Sequence, residues 1–252
     1  MIVFPNAKIN IGLNVVEKRA DGFHNIESVF YPVNQLTDVL EIVKQSSNEV
    51  TFSSSGIDIP RKVGELNLCE KAYQLIKNDF DIPGVQIHLH KVISIGAGLG
   101  GGSADAAFTL KVLNNLFELN LTDEKLIEYA RKLGSDCAFF IKNKPVYAFN
   151  KGDEFEELEI DLSDYEIKIE YPDIHISTAE AYSGVVPKLS HQNLKELIAE
   201  PIENWNTNFK NDFEQSVFPN HPSIEKLKAK MYQDGAKFAS MSGSGSAVFG
   251  IF

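Results

Sequence analysis

The stretch Gly96-Ala97-Gly98-Leu99-Gly100-Gly101-Gly102-Ser103 decides how the rest of the chain is read. Five of its eight residues are glycine. Glycine costs backbone entropy on folding, so this density marks a place where something comes close to the main chain. A plain turn needs only one or two glycines. Directly after the loop, Ala106, Leu110, Leu113 and Phe117 recur at three-to-four spacing, which predicts a helix beginning near Ser103. Backbone N–H groups at a helix N-terminus attract anions, so the loop reads as a phosphate cradle. Ser103 adds a hydroxyl for a phosphate or a metal ion. A valine at Gly101 is expected to take the space a phosphate needs while leaving the fold largely intact.

Two better-known glycine loops are excluded by context. Gly96, Gly98 and Gly101 satisfy GxGxxG, but a dinucleotide fold sets that pattern in a strand–helix–strand unit with an acid after the second strand. Here the helix leads to another helix, with Thr122 as N-cap, Leu126, Ala130 and Leu133 as its apolar stripe, and Gly134 as its stop. The strands before the loop read as antiparallel hairpins. A Walker A loop needs lysine where Gly102 stands.

Outward from the loop, Ile9, Ile11, Leu13 and Val15 alternate with Lys8, Asn10, Gly12 and Asn14. This predicts a strand with one apolar and one polar face. Lys8 and Asn10 then share a face, about 6.6 Å apart. Arg19–Gly22 marks a turn. Further strands are expected at Ser28–Val33, Val39–Val43, Val50–Ser53 and Val85–His90, and a helix at Leu66–Phe80. Lys151–Asp164 reads as acidic loop and Tyr165–Tyr171 as a strand. Helices are expected near Asn193–Glu200, Asn211–Phe218 and Ile224–Asp234. A second glycine loop, Ser242–Ser246, precedes a final strand, Ala247–Phe252. The expectation is an α+β chain of two domains, 1–150 and 151–252.

The chain has 252 residues and a formal net charge of -11, which argues against broad nucleic-acid binding. No run of eighteen apolar residues is present to span a membrane. The start, MIVFPNAKIN, lacks the layout of a signal peptide. Cys69 and Cys137 have no CxxC spacing. A cytoplasmic, reduced protein acting on a small molecule is expected. His88 and His90 share a strand face, but zinc needs three or four ligands and no further His or Cys lies at a matching spacing. A surface strand face is the better reading of the two, and Cys137 reads as a buried core thiol.

GAGLGGGSADAA resembles the ATP loop of the GHMP kinases, the family of galactokinase, homoserine kinase and mevalonate kinase. PNAKINIGLNVVEKRADGFH at the start, KLGSDCAFFI after the second helix and MSGSGSAVFGIF at the end agree with it. The similarity runs from residue 5 to 252 and is weaker between 150 and 235. The triple glycine before serine is characteristic of one branch, whose substrate carries a cytidine diphosphate group. The chain departs from the branch pattern at Ser94 (usually proline), Phe23 (usually tyrosine) and Cys137-Ala138 (commonly Val-Pro), and it ends sooner after its second glycine loop than most relatives.

The resemblance implies a two-domain fold with the active site in the interdomain cleft, ATP and Mg²⁺ as cofactors, and transfer of a phosphoryl group to an alcohol. It places ATP along Ser94, Ile95, Gly96, Ala97, Gly98, Leu99, Gly100, Gly101, Gly102, Ser103 and Ala104, with Asn67 and Lys91 beside the nucleotide. Asp136 stands between a helix end and the apolar run Ala138–Ile141, where a carboxylate is costly unless paired. It is the candidate base, and Lys8 its candidate partner. On the residues alone, a turn aspartate and a solvated strand lysine would be the ordinary readings; the resemblance turns both toward catalysis. Asn10 is expected to touch the substrate. Phe23 and His24 are placed at the cytosine, with Tyr182 as a second stacking ring and Thr178 from the same segment. Gly243-Ser244-Gly245 is expected to close the cleft from the second domain. Another GHMP kinase with a different alcohol, a catalytically silent nucleotide-binding protein and a dinucleotide oxidoreductase are the alternatives.

Overall fold

A computed structural model describes residues 1–172, 174–188 and 193–252. In chain order the elements are β1 (Ile2–Val3), β2 (Asn6–Lys18), β3 (His24–Thr37), β4 (Val39–Lys44), β5 (Val50–Gly56), α1 (Leu68–Asp79), β6 (Val85–Lys91), α2 (Gly101–Leu116), α3 (Asp123–Leu133), a 3-10 turn (Ser135–Ala138), α4 (Phe139–Lys142), β7 (Val146–Phe149), β8 (Glu154–Glu157), β9 (Ile167–Glu170), α5 (Thr178–Ser183), α6 (Leu194–Leu197), a 3-10 turn (Ile202–Asn204), α7 (Trp205–Asn208), α8 (Glu214–Val217), α9 (Pro222–Gln233), β10 (Phe238–Met241) and β11 (Val248–Ile251). They form two compact units. One comprises 1–7, 34–95 and 100–143; the other comprises 8–33, 96–99 and 144–252. The sequence suggests a single break near 150, whereas the units are interleaved along the chain, and the glycine loop contributes to both.

In the first unit a sheet of order β1-β4-β6-β5 carries helices. β4 runs antiparallel to β1 and β6, as expected, but β5 and β6 are parallel, from Val50↔Val85 to Gly56↔Lys91. A parallel pair needs a crossover, and α1 supplies it. The apolar residues Cys69, Ala72, Tyr73 and Ile76 of α1 are buried. α1 begins with a complete capping box: Asn67 accepts from the amide of Cys69, and Glu70 reaches back to the amide of Asn67. α3 follows the local sequence signals closely, with Thr122 as cap and Gly134 at its end. Helix α2 is buried along Ala104, Ala106, Ala107, Leu110 and Leu113.

The second unit has two sheets, β2-β3-β7-β8 and β10-β11-β9. Its core joins Leu13, Val15 and Ile26 to Phe213, Val217, Ile224, Met231, Met241 and Val248. The alternation in β2 is real, but its polar face is not solvated. Ile9 and Ile11 are fully buried, and so, nearly, are Lys8 at 3% and Asn10 at 1% exposure. Hydrogen bonding within that face makes this tolerable. The segment read as acidic loop contains β8, whose Glu154 and Phe155 pair with Phe149 and Ala148. Asn211, expected to be helical, instead bridges in parallel to Leu13 of β2, and Asp212 and Phe213 turn from there into α8.

Candidate active site

The glycine loop is shaped by two demands. Gly98 has φ +83°, and a Cβ there would lie 1.9 Å from the carbonyl oxygen of Ser242. A Cβ on Gly245 would lie 2.0 Å from the carbonyl carbon of Ala97. The two glycine loops therefore touch backbone to backbone within the second unit. Ser242 Oγ donates to the Gly98 carbonyl at 3.0 Å, and the Ala247 amide donates to the Ala97 carbonyl at 3.0 Å. The Lys8 amide donates to the Leu99 carbonyl at 2.9 Å. Residues 96–99 and 242–247 belong to one compact unit.

The second demand lies at the start of α2. Gly100 is the N-cap in the left-handed region (φ +72°), and no side chain caps the helix. The first-turn amides of an α-helix have no intrahelical partner, so those of Gly101, Gly102 and Ser103 are donors for an anion. The space around them is unequal. A Cβ on Gly101 would meet Lys91 Nζ and Ile93 Cγ2 at 2.8 Å, whereas one on Gly102 would meet only Leu68 Cδ1, at 3.7 Å. The expectation that Gly101 tolerates a side chain is therefore corrected, because the protein itself fills that space. Gly102 is the position left open.

Beneath the start of α2 lies a buried charge cluster. Lys91 Nζ stands 2.5 Å from Asp38 Oδ2 and 2.8 Å from Asp105 Oδ2, and all three side chains are at most 3% exposed. Asp38 Oδ1 also accepts the amides of Val92 and Ile93. Burial pushes the Asp105 carboxyl up to about 7, Asp38 adds to the rise, and Lys91 opposes it. Burial lowers Lys91, but the two carboxylates more than compensate and raise it. Asp105 Oδ1 has no hydrogen-bond partner. The Lys91 ammonium, expected beside the nucleotide, is thus committed to two acids under the cradle, and the Asn67 side chain to its capping box.

Ser103, Asp136 and Cys137 lie together in the first unit. Gly134 ends α3 and the 3-10 turn follows, which leaves Asp136 half-buried. The Ser103 hydroxyl hydrogen-bonds the Cys137 thiol, which burial pushes up to about 12. A thiol held protonated is no nucleophile. Cys69 is likewise buried and pushed up.

In the second unit Lys8 Nζ donates to Asn10 Oδ1 at 2.5 Å and lies 4.8 Å from the Phe30 ring centroid. Asn10 Nδ2 donates to Ser28 Oγ, which donates to the Gly12 carbonyl. His24 stacks on Tyr182 with centroids 4.4 Å apart, and Tyr182 meets Phe213 edge-on at 4.7 Å. Burial, then the charge of Lys18, holds His24 below the ordinary histidine range. Thr178 opens α5, the short helix that carries Tyr182. Phe23 is 58% exposed, with Lys151 Nζ 5.6 Å from its ring. Of the residues expected at the cytosine, His24 and Tyr182 thus form a stacked pair and Phe23 is an exposed ring. His88 and His90 hydrogen-bond Ser53 and Ser55 on a strand face of the first unit, and no group of three metal-ligating side chains occurs among the described residues.

Several structural residues escaped the sequence reading: Asp38, Asp105, Ser28, Ser242 and the segment Asn211–Glu214. Single polar residues in strands or loops carry no local signal of their partners.

Comparison with known proteins identifies the family. Residues 67–144 match the GHMP kinases N-terminal domain and 186–252 the GHMP kinases C-terminal domain. The chain belongs to the GHMP kinase family. Two curated relatives, both named 4-diphosphocytidyl-2-C-methyl-D-erythritol kinase, come from Bacteroides fragilis, 51% identical, and Cytophaga hutchinsonii, 50% identical. Each alignment covers 100% of this chain and 92% of the relative. A crystal structure of 4-(cytidine 5'-diphospho)-2C-methyl-D-erythritol kinase superposes with a TM-score of 0.81 at 31% identity, covering 100% of this chain and 90% of that one. Homoserine kinase from C. hutchinsonii, at 16% identity and a TM-score of 0.78 over 100% of this chain and 84% of that one, shares the fold.

Proposed function

We propose that this chain transfers the γ-phosphoryl group of ATP to the 2-hydroxyl of 4-diphosphocytidyl-2-C-methyl-D-erythritol, a step of the non-mevalonate isoprenoid route. The observation that carries the reading is full-length identity of about half to kinases of that name, in a chain whose α2 opens on an uncapped glycine N-terminus. Phosphoryl transfer asks the protein mainly for positioning and charge stabilisation. The first-turn amides of α2 hold phosphate oxygens. Asp136 accepts the proton of the attacking hydroxyl, and Lys8, fixed by Asn10, brings positive charge to the reacting groups. Neutral His24 and the ring of Tyr182 read the cytosine, with Phe23 closing on it from the exposed turn.

Mg²⁺ usually keeps several waters and takes one or two protein oxygens besides the phosphates. The donor set fits an ion carried in on ATP: Ser103 Oγ is the side-chain oxygen at the cradle, and no protein cage of three ligands is required. When bound, the ion neutralises charge on the transferring phosphates.

Initial rates with ATP and Mg²⁺ test the proposal, comparing the cytidylyl alcohol, its uridylyl analogue, homoserine and mevalonate. The cytidylyl compound should give the highest kcat/KM. Asp136→Asn should bind ATP yet lose about 10²-fold or more in kcat, the usual contribution of a general base. Preference for another alcohol would overturn the substrate, and a variant with near-normal kcat would overturn the base.

A further inference from the structure

The side chains of the segment Asn211-Asp212-Phe213-Glu214 bond to backbone groups of β2, β10 and the second glycine loop. The Asn211 side chain is 1% exposed and all its hydrogen-bonding hydrogens are used. Nδ2 donates to the carbonyls of Met241 and Gly243, each at 2.8 Å, and Oδ1 accepts the Phe213 amide at 3.0 Å. Its backbone is pinned on both sides. The Leu13 amide donates to the Lys210 carbonyl at 2.8 Å, and the Asp212 amide donates to the Leu13 carbonyl at 2.9 Å. Asp212 Oδ2 accepts the Val15 amide, and Glu214 Oε1 accepts the Met241 amide.

What Asn211 holds is the second glycine loop. A Cβ on Gly243 (φ +56°) would lie 3.2 Å from the Gly98 carbonyl oxygen and 3.3 Å from Asn10 Oδ1, the atom that accepts from Lys8. Gly243 thus lies against both the first glycine loop and the Lys8–Asn10 pair. We propose that Asn211 is a positioning residue for ATP: by fixing the Gly243 carbonyl it sets the backbone of residues 96–99 and the Asn10 carboxamide that holds Lys8. It touches no reacting atom. Phe213, two residues on, supports Tyr182 and so serves the other end of the substrate. The segment therefore divides its work, with Asn211 toward the phosphates and Phe213 toward the base.

The inference rests on the kinase reading, and the experiment separates the two. Wild type must first show ATP-dependent phosphorylation of the cytidylyl alcohol; if it does not, the kinase reading itself fails and the positioning role falls with it. Given that activity, KM for each substrate, kcat and Tm are measured for Asn211→Ala and Phe213→Leu. Asn211→Ala should raise KM for ATP about fivefold or more and lower kcat about tenfold, since misplacement by about 1 Å costs up to 10² in rate, while KM for the cytidylyl alcohol stays within about twofold. Phe213→Leu should show the reverse split. A structural role alone would lower Tm and leave both KM values near normal, which overturns the proposal, as does a parallel rise in both. Should Asn211→Ala not fold, Asn211→Asp carries the test. Its carboxylate faces two carbonyl oxygens and regains a donor only when protonated, so its kcat/KM for ATP, relative to wild type, should rise as the pH is lowered from 8 to 6. A ratio that is flat with pH overturns the positioning role.

Discussion

Asp105 is the residue whose surroundings dictate the clearest pH behaviour. Its carboxyl is buried beside Lys91 and Asp38, with one oxygen unpartnered. Burial in the folded protein holds it up at about 7, well above the ordinary aspartate value of about 3.9. A group whose pKa is raised on folding stabilises the fold most when protonated, so this contribution is complete at low pH and is lost as the pH rises toward and through 7. Asparagine copies the protonated form. The Tm of Asp105→Asn relative to wild type should therefore improve between pH 5 and pH 8, and scanning calorimetry at the two values checks it. A difference that is constant with pH would mean the carboxyl is ionised in both conditions. Nothing in the sequence around Asp105 signals this environment, because Asp38 and Lys91 reach it only through the fold.

The elements divide into those with local causes and those without. The apolar periodicity of α2, the Thr122 cap and the Gly134 stop of α3, and the alternation of β2 are properties of neighbouring residues, and each is present as read. The parallel pairing of β5 with β6 and the bridge of Asn211 to Leu13 are set by distant strands, which no window of sequence contains. The candidate site follows the same rule. The glycine loop, Lys8 and Asp136 are legible through motifs, whereas the commitment of Lys91 to two acids is not. The loop's glycines can be told apart by experiment. Gly102→Ala places a methyl in open space within a helix, so Tm should hold or rise, the propensity gain in stability being up to about 1 kcal/mol. ATP binding should nevertheless weaken about tenfold, the scale of one lost hydrogen bond to a charged group, about 1.5 kcal/mol. Gly98→Ala should do the opposite first: its backbone strain alone costs about 1–3 kcal/mol, and the clash with Ser242 adds to it. Thermal melts together with ATP titration distinguish the two.

At the scale of the whole molecule, chain order and compactness do not coincide. The second unit needs residues 8–33 for β2 and most of β3, and its core includes Leu13, Val15 and Ile26. A fragment 151–252 keeps β9, β10 and β11 but loses these partners and β7. It should therefore fail to fold alone, showing little protease resistance and a spectrum without cooperative thermal loss. A cooperatively melting fragment would restore a contiguous C-terminal domain.

The contact between Gly98 and Gly245 has a consequence for inheritance. Each position is closed to change by the main chain of the other loop, and no compensating substitution exists, because what both lack is volume and neither can give up more. Drift is blocked at two distant points of the gene for one shared reason. A descendant that alters either codon must shift a whole loop, so these two glycines should persist together or vanish together as lineages part.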